Sequence, residues 1–195
     1  MRVSEISRKT SETDIHLELN IDGLGNALIR TGIGFFDHML DLFSRHSLFD
    51  LKLKAAGDLE VDFHHTVEDV GLCLGTAFRE AIGDKRSIRR YGFSSLPMDE
   101  TLINVSVDVS GRPHLNLINP LEKMRAGKFP LDLVRVFFQA FTDRSGITAH
   151  AILITGSNPH HAAEAFFKGL ARALREAVEN DPRVHGVPST KGLLD

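Results

Sequence analysis

An α+β fold, assembled from two copies of a β-β-α-β-α unit packed helix layer to helix layer, is predicted from three features of the sequence. Segments with alternating apolar residues take turns with segments of helical periodicity. The order of these segments in the first half recurs in the second. Finally, a gapless shift of 160 − 64 = 96 positions lays HHTVEDVGLCLGTAFREAIGD on HHAAEAFFKGLARALREAVEN. His64/His160, His65/His161, Glu68/Glu164, Leu74/Leu170, Ala77/Ala173, Arg79/Arg175, Glu80/Glu176 and Ala81/Ala177 then coincide. Unrelated amphipathic helices share Leu and Ala by composition, but rarely His, His and Glu at fixed spacing as well.

The elements follow in order. In DIHLELNID, Ile15, Leu17, Leu19 and Ile21 point one way and His16, Glu18, Asn20 and Asp22 the other, which is the pattern of a half-buried strand. GFFDHMLDLFSRHS has Phe35, Met39, Leu42 and Phe43 at helical spacing. FDLKLKAAG alternates again, and HHTVEDVGLCLGTAFREAIG is the next helix. The second half runs through TLINVSVDVSG (strand), PLDLVRVFFQAFTDRSG (helix), TAHAILITG (strand) and HHAAEAFFKGLARALREAVE (helix). Each sheet with two helices on one face leaves an apolar helical layer, and two such halves bury it against each other. The predicted junction is RRYGFSS, Arg89 to Ser95, giving halves 1–92 and 93–180. The tail 181–195, DPRVHGVPSTKGLLD, carries two Pro and two Gly and is expected to be an irregular arm that contributes to a substrate site.

Bulk properties narrow the function. The 195 residues are 42% apolar, enough for a proper core. A net charge of −3 argues against a general nucleic-acid binder. The N-terminus has no apolar leader, and no apolar run approaches membrane-spanning length, so a cytoplasmic protein with no membrane partner is expected. The single cysteine, Cys73 in VGLCLGTAF, reads as a small core residue. Histidine stands out, with ten copies beside one Tyr and no Trp.

The repeated His-His-x-x-Glu carries chemistry. Residues four apart on a helix lie about 40° apart around the axis, and neighbours about 100° apart. His64 and Glu68 can therefore converge on one ion while His65 points elsewhere; the same holds for His160 and Glu164, leaving His161. If the spare histidines complete each other's pairs, two sites result: His64, Glu68 and His161, and His160, Glu164 and His65. Because the repeats do not obviously meet within one chain, such sites are expected to cross-link subunits. Imidazole with carboxylate suits Mn, Fe or Zn. An ordinary helix start prefers acidic residues to paired histidines, which weighs against mere capping. His38 in FFDHMLD is a further candidate, and His46 near the end of the same helix serves equally well as a dipole partner. Basic residues form a second set: Lys85, Arg86, Arg89 and Arg90, then Arg112, then Lys191 beside Ser189 and Thr190. Ser, Thr, Lys and Gly in a loose segment can wrap a phosphate, or simply face solvent.

FFDHMLDLFSRH, DFHHTVEDVGLCLG, PMDE…SGRPH, PHHAAEAFFKGLARALR and VPSTKG together resemble the imidazoleglycerol-phosphate dehydratase family of histidine biosynthesis, across essentially the whole chain. The resemblance implies two ribosomal-S5-domain-2-like halves packed through their helices. It implies dehydration of imidazoleglycerol phosphate to imidazole-acetol phosphate through a metal-bound imidazolate and a diazafulvene-like intermediate. Two manganese ions per active site are implied, one held by His38, His65, His160 and Glu164, the other by His64, Glu68, His161 and a further histidine. Substrate contacts are implied for Glu12, His46, Arg90, Arg112, Lys168, Ser189, Thr190 and Lys191. Glu12 is the expected proton carrier and His46 the second catalytic candidate. Active sites between subunits of a trimer, with trimers assembling into a 24-subunit shell, are also implied.

The sequence departs from the pattern at one point. The position matching the further histidine is Val136, in LVRVFFQAF. Valine cannot ligate, so the second ion is expected to be one protein ligand short, or to find a replacement such as His150. A metal-storage module, a metal-assembled shell or a di-metal hydrolase would also use the histidines, but the storage module would not need the Ser-Thr-Lys tail, nor the shell Glu12.

Overall fold

The structure is a computed structural model that describes residues 1–194. The first half contains β1 (Val3–Lys9), β2 (Thr13–Asn20), β3 (Ala27–Arg30), α1 (Gly34–Ser47), β4 (Asp50–Gly57) and α2 (His64–Ile82). The second contains β5 (Tyr91–Met98), β6 (Thr101–Asp108), β7 (His114–Ile118), the short strands β8 (Arg125–Ala126) and β9 (Phe129–Pro130), α3 (Asp132–Ser145), β10 (Thr148–Thr155) and α4 (Pro159–Val178). The two large sheets have the same strand order, β1-β2-β4-β3 and β5-β6-β10-β7. The duplicated β-β-α-β-α plan is therefore present. Each copy also has one short extra strand, β3 or β7, paired parallel to the strand after its first helix.

Alternation does in β2 and β6 what the sequence predicts. Ile15, Leu17 and Leu19 are buried on β2, and Ile103, Val105 and Val107 on β6. Pro97 is tolerated in β5 because β5 is an edge strand, where a missing N–H need not break a ladder. The two copies differ in spacing. β6 starts 101 − 13 = 88 positions after β2, whereas β10 starts 148 − 50 = 98 positions after β4. The extra length lies between β7 and α3, where β8 and β9 form a hairpin that the first half lacks.

The helices meet in the middle, α1 against α4 and α2 against α3. Phenylalanines from all four form the centre: Phe137 lies 5.0 Å from Phe167 and 5.6 Å from Phe36, and Phe141 lies 5.8 Å from Phe78 and 6.3 Å from Phe43, centroid to centroid. Burying each such ring stabilises the fold by roughly 1.5–3 kcal/mol. The α2/α3 crossing is the tighter one. A Cβ at Gly71 would sit 2.9 Å from the Phe137 carbonyl oxygen, and at Gly75 2.5 Å from that of Phe141, so α2 needs glycine at both places. Cys73 is buried in this core, as expected, and burial pushes its thiol up to about 11. No helix among the described residues is long and apolar enough to cross a membrane.

Candidate metal centre and basic groove

Local capping sets the paired histidines at helix starts. The Asn158 side chain accepts the His160 N–H at 2.9 Å with Pro159 at the first helical position, and Asp62 accepts the His64 N–H at 2.7 Å. Neither α2 nor α4 has an acidic residue in its first turn. The capping is done from outside the helices, which leaves the first turns free to present histidine.

At the α1/α4 end, His38, His160 and Glu164 converge, with one ligand atom of each within 4.8 Å of the others. Glu164 Oε1 lies 3.1 Å from His38 Nε2 and 2.9 Å from His160 Nε2, while Lys168 Nζ donates to Glu164 Oε2 at 2.6 Å. The Glu164 carboxylate is thus divided: one oxygen faces the imidazoles and the other is neutralised by lysine. Burial pushes its carboxyl up, but hydrogen bonds from Lys168, His38 and His160 outweigh burial and hold it down at about 2. A buried carboxylate oxygen flanked by two imidazole nitrogens fits a divalent first-row ion, which would also separate the crowded donors. His38 comes from the first half and the other two from the second, so donors from both repeats do meet within one chain. The expectation that they cannot is corrected here; α1 packs directly on α4 and carries His38 across.

His65 and His161 are not in this cluster. Each is held by a carboxylate instead: His65 Nδ1 lies 2.9 Å from Asp58 Oδ2 and 3.9 Å from Glu12 Oε2, and His161 Nδ1 lies 2.8 Å from Glu100 Oε2. The carboxylate bond raises the affinity of each imidazole for its proton. His64 and Glu68, one turn apart on α2, are both exposed. Val136 is half-buried on α3 and packs against the core. His150 lies on the exposed face of β10, where its Nδ1 meets the Asn116 amide at 3.2 Å and its ring faces His114. Helices cover the other face of that sheet, so within the chain His150 does not fill the gap at Val136.

The basic residues meet elsewhere. Arg90, Arg112, Ser189, Thr190 and Lys191 line one open groove of about 680 Å³ beside Tyr91 and Pro188. Arg90 is locked: its guanidinium grips Asp108 at 2.7 and 3.1 Å and donates to the Pro188 carbonyl at 2.8 Å, which ties down the C-terminal arm. Arg112 is looser, 3.8 Å from Asp108 and 59% exposed, so it is the freer partner for an incoming anion. Lys168 sits with the His38–His160–Glu164 cluster rather than in this groove. His46, at the end of α1, opens onto a different cleft with Arg89, Arg172 and Arg175. Burial, together with Lys168 and Arg172, disfavours its imidazolium.

The two carboxylates that hold His65 and His161, Asp58 and Glu100, were not singled out from the sequence. The signal for Glu100 is its place immediately before β6, where Glu12 stands before β2.

Comparison with known proteins fits this geometry. Residues 31–174 match the family model described as imidazoleglycerol-phosphate dehydratase. Proteins of that name from Thermoanaerobacter pseudethanolicus and Caldanaerobacter subterraneus are 60% and 58% identical, each over the full length of both chains. The crystal structure of the Staphylococcus aureus dehydratase is 39% identical, superposes with a TM-score of 0.84 and covers 92% of this chain and 99% of its own. That from Pyrococcus furiosus, determined in complex with (S)-C348, is 36% identical with a TM-score of 0.84 and covers 97% and 100%. The chain belongs to the imidazoleglycerol-phosphate dehydratase family.

Proposed function

We propose that the protein is a cytoplasmic hydro-lyase that dehydrates imidazoleglycerol phosphate to imidazole-acetol phosphate in histidine biosynthesis. In a chain of this family, the observation that carries the reading is the meeting of His38, His160 and Glu164 around one point. These residues would hold one manganese ion together with His65, and His64, Glu68 and His161 would hold a second. When bound, such ions would supply Lewis acidity to the substrate.

The chain's own groups account for the rest. Arg112, Ser189, Thr190 and Lys191 bind the phosphate, with Arg90 fixing the arm that carries three of them. Anchoring the phosphate orients the carbon chain without taking part in bond breaking. Glu12, exposed and beside His65, carries the proton from the carbon next to the lost hydroxyl; His46 and Lys168 complete the substrate contacts. The enol that results becomes the ketone.

The separation of groove and cluster along α4 supports a site shared between chains. Arg90 N–H bonds to the Ala177 carbonyl near the end of α4, while the metal cluster begins at His160. Those 17 residues span about 25 Å at 1.5 Å per residue, too far for one small phosphate ester. In this reading the groove of one subunit serves the His38–His160–Glu164 cluster of another, and the trimer and 24-subunit shell implied by the family resemblance belong to the same proposal. The division into halves 1–92 and 93–180 with an arm at 181–195 belongs to the same reading, although its boundary falls inside β5, which begins at Tyr91.

The test is to supply Mn²⁺ and imidazoleglycerol phosphate and measure the enolisable ketone, then to repeat after chelation while following mass by light scattering. Turnover and mass are expected to fall together. Full turnover from metal-stripped protein would sink the metal-dependent reading.

A further inference from the structure

The duplication allows the two copies to be compared atom by atom around their spare histidines. Glu12 and Glu100 occupy the same position, immediately before β2 and β6. Asp58 and Gly156 likewise follow β4 and β10 directly. In the second copy Glu100 does all the carboxylate work. Its Oε2 takes the His161 Nδ1 at 2.8 Å, and its Oε1 takes the Asn158 N–H at 3.0 Å, the Ser157 N–H at 3.5 Å and the Thr101 hydroxyl at 3.1 Å. In the first copy Asp58 Oδ2 takes the His65 Nδ1 at 2.9 Å, while Glu12 stands off at 3.9 Å with its side chain 51% exposed. Asp58 Oδ1 is buried with no hydrogen-bond partner in the described structure. An acid kept there at that expense needs a reason other than folding.

We infer that Asp58 and Glu100 are positioning residues, each holding Nδ1–H of a spare histidine so that Nε2 alone presents a lone pair to metal, and that Asp58's presence releases Glu12 from that task. The physical basis is that a carboxylate can only accept. A neutral imidazole bonded to it through Nδ1 must carry its proton there, which fixes both tautomer and ring direction. Gly156 offers no side chain, so the second copy has no substitute for Glu100, and Glu100 is not free for proton chemistry. Glu12 is free because its copy acquired a second acid. The inference rests on His65 and His161 being metal ligands.

The experiment uses the full-length protein with Asp58→Asn, Glu100→Gln and the conservative Glu100→Asp, each checked for an unchanged melting temperature. Equilibrium titration of metal-free protein with Mn²⁺ is expected to weaken by roughly 10- to 100-fold for Asp58→Asn and Glu100→Gln, with Glu100→Asp recovering much of the loss. A second readout needs no metal. Solid-state ¹⁵N spectra of histidine-labelled protein, at a pH where imidazole is neutral, should show two rings with unprotonated Nε2, and each variant should lose that signature at one ring. Mn²⁺ affinities within about threefold of the parent, or ring signals unchanged in both variants, would overturn the inference. Absence of Mn²⁺ binding by the parent would instead strike the metal reading, and the ¹⁵N spectra would still decide this one.

Discussion

The α1/α4 end of the molecule and the α2/α3 end follow the same plan with different chemistry. At the first, His160 and Glu164 on α4 meet His38 from α1 and Lys168 one turn on, and Glu164 is buried. At the second, His64 and Glu68 stand in the same places on α2, but Val136 occupies the position of His38 and Leu72 that of Lys168, and Glu68 is exposed. The acid buried on α2 is the next residue, Asp69, paired with Arg8 at 3.0 Å and bonded by the Thr13 hydroxyl. Backbone duplication therefore preserves the scaffold without preserving the donor set. The partner helix differs: α3 brings an aliphatic side chain where α1 brings imidazole to the His160–Glu164 pair.

The largest expected effect separates chemistry from metal binding at the α2/α3 end. With Glu12 carrying the proton, Glu12→Gln should lower turnover by roughly 10²- to 10⁴-fold at nearly unchanged metal content. Glu68→Gln should instead lose metal from that end. Equal metal loss in the two variants, read by elemental analysis, would show the roles to be misassigned.

How much of this was legible beforehand differs between fold and site. Period-2 alternation in β2, β4, β6 and β10 and the helical periodicity of all four helices were readable because each buries one face against a common core. The short strands β3 and β7 were not, since four or five residues with mixed exposure carry little pattern. The candidate histidines stood out because two identical copies are improbable by chance. Glu100 was hidden by the β8/β9 hairpin: the shift that aligns the helices is 96, whereas β2 and β6 align at 88, so Glu12 and Glu100 do not coincide. His38 joining His160 depends on how helices from different halves pack, which no local pattern states.

A second expected effect compares the two glutamates directly. Glu164→Gln removes the charge that Lys168 and two imidazoles surround, and should weaken metal binding by roughly 100-fold, more than Glu68→Gln does at its exposed site. The same pair differs in acid. Because the Glu164 carboxyl is held at about 2, below its ordinary 4.5, its contribution to stability is present above about pH 4.5 and is lost as pH falls towards 2. Metal-free Glu164→Gln should therefore show a shallower loss of melting temperature across that window than the parent. Parallel melting curves would mean that solvent, not the cluster, governs that carboxylate.

The smallest effect concerns Val136 and bears most directly on the comparison. If the partner helix is what closes a site, the α2/α3 end is held by His64, Glu68 and His161 alone and keeps an open position for water or substrate. Metal titration should then give one tight and one looser equivalent per chain. Val136 is only half-buried and lies on the surface of the packed helix pair, so an imidazole can replace it without opening a cavity in the phenylalanine core. Val136→His should tighten the looser equivalent by roughly 10-fold while leaving the tighter one unchanged, and should reduce turnover where the open position is used by substrate. His150 is the internal control, because it faces away from the helices on β10. If His150→Ala weakened the looser equivalent as strongly as Val136→His was meant to tighten it, a neighbouring subunit would be supplying the fourth ligand. Two equal equivalents in the parent, untouched by Val136→His, would mean that the two ends bind alike despite their different helices.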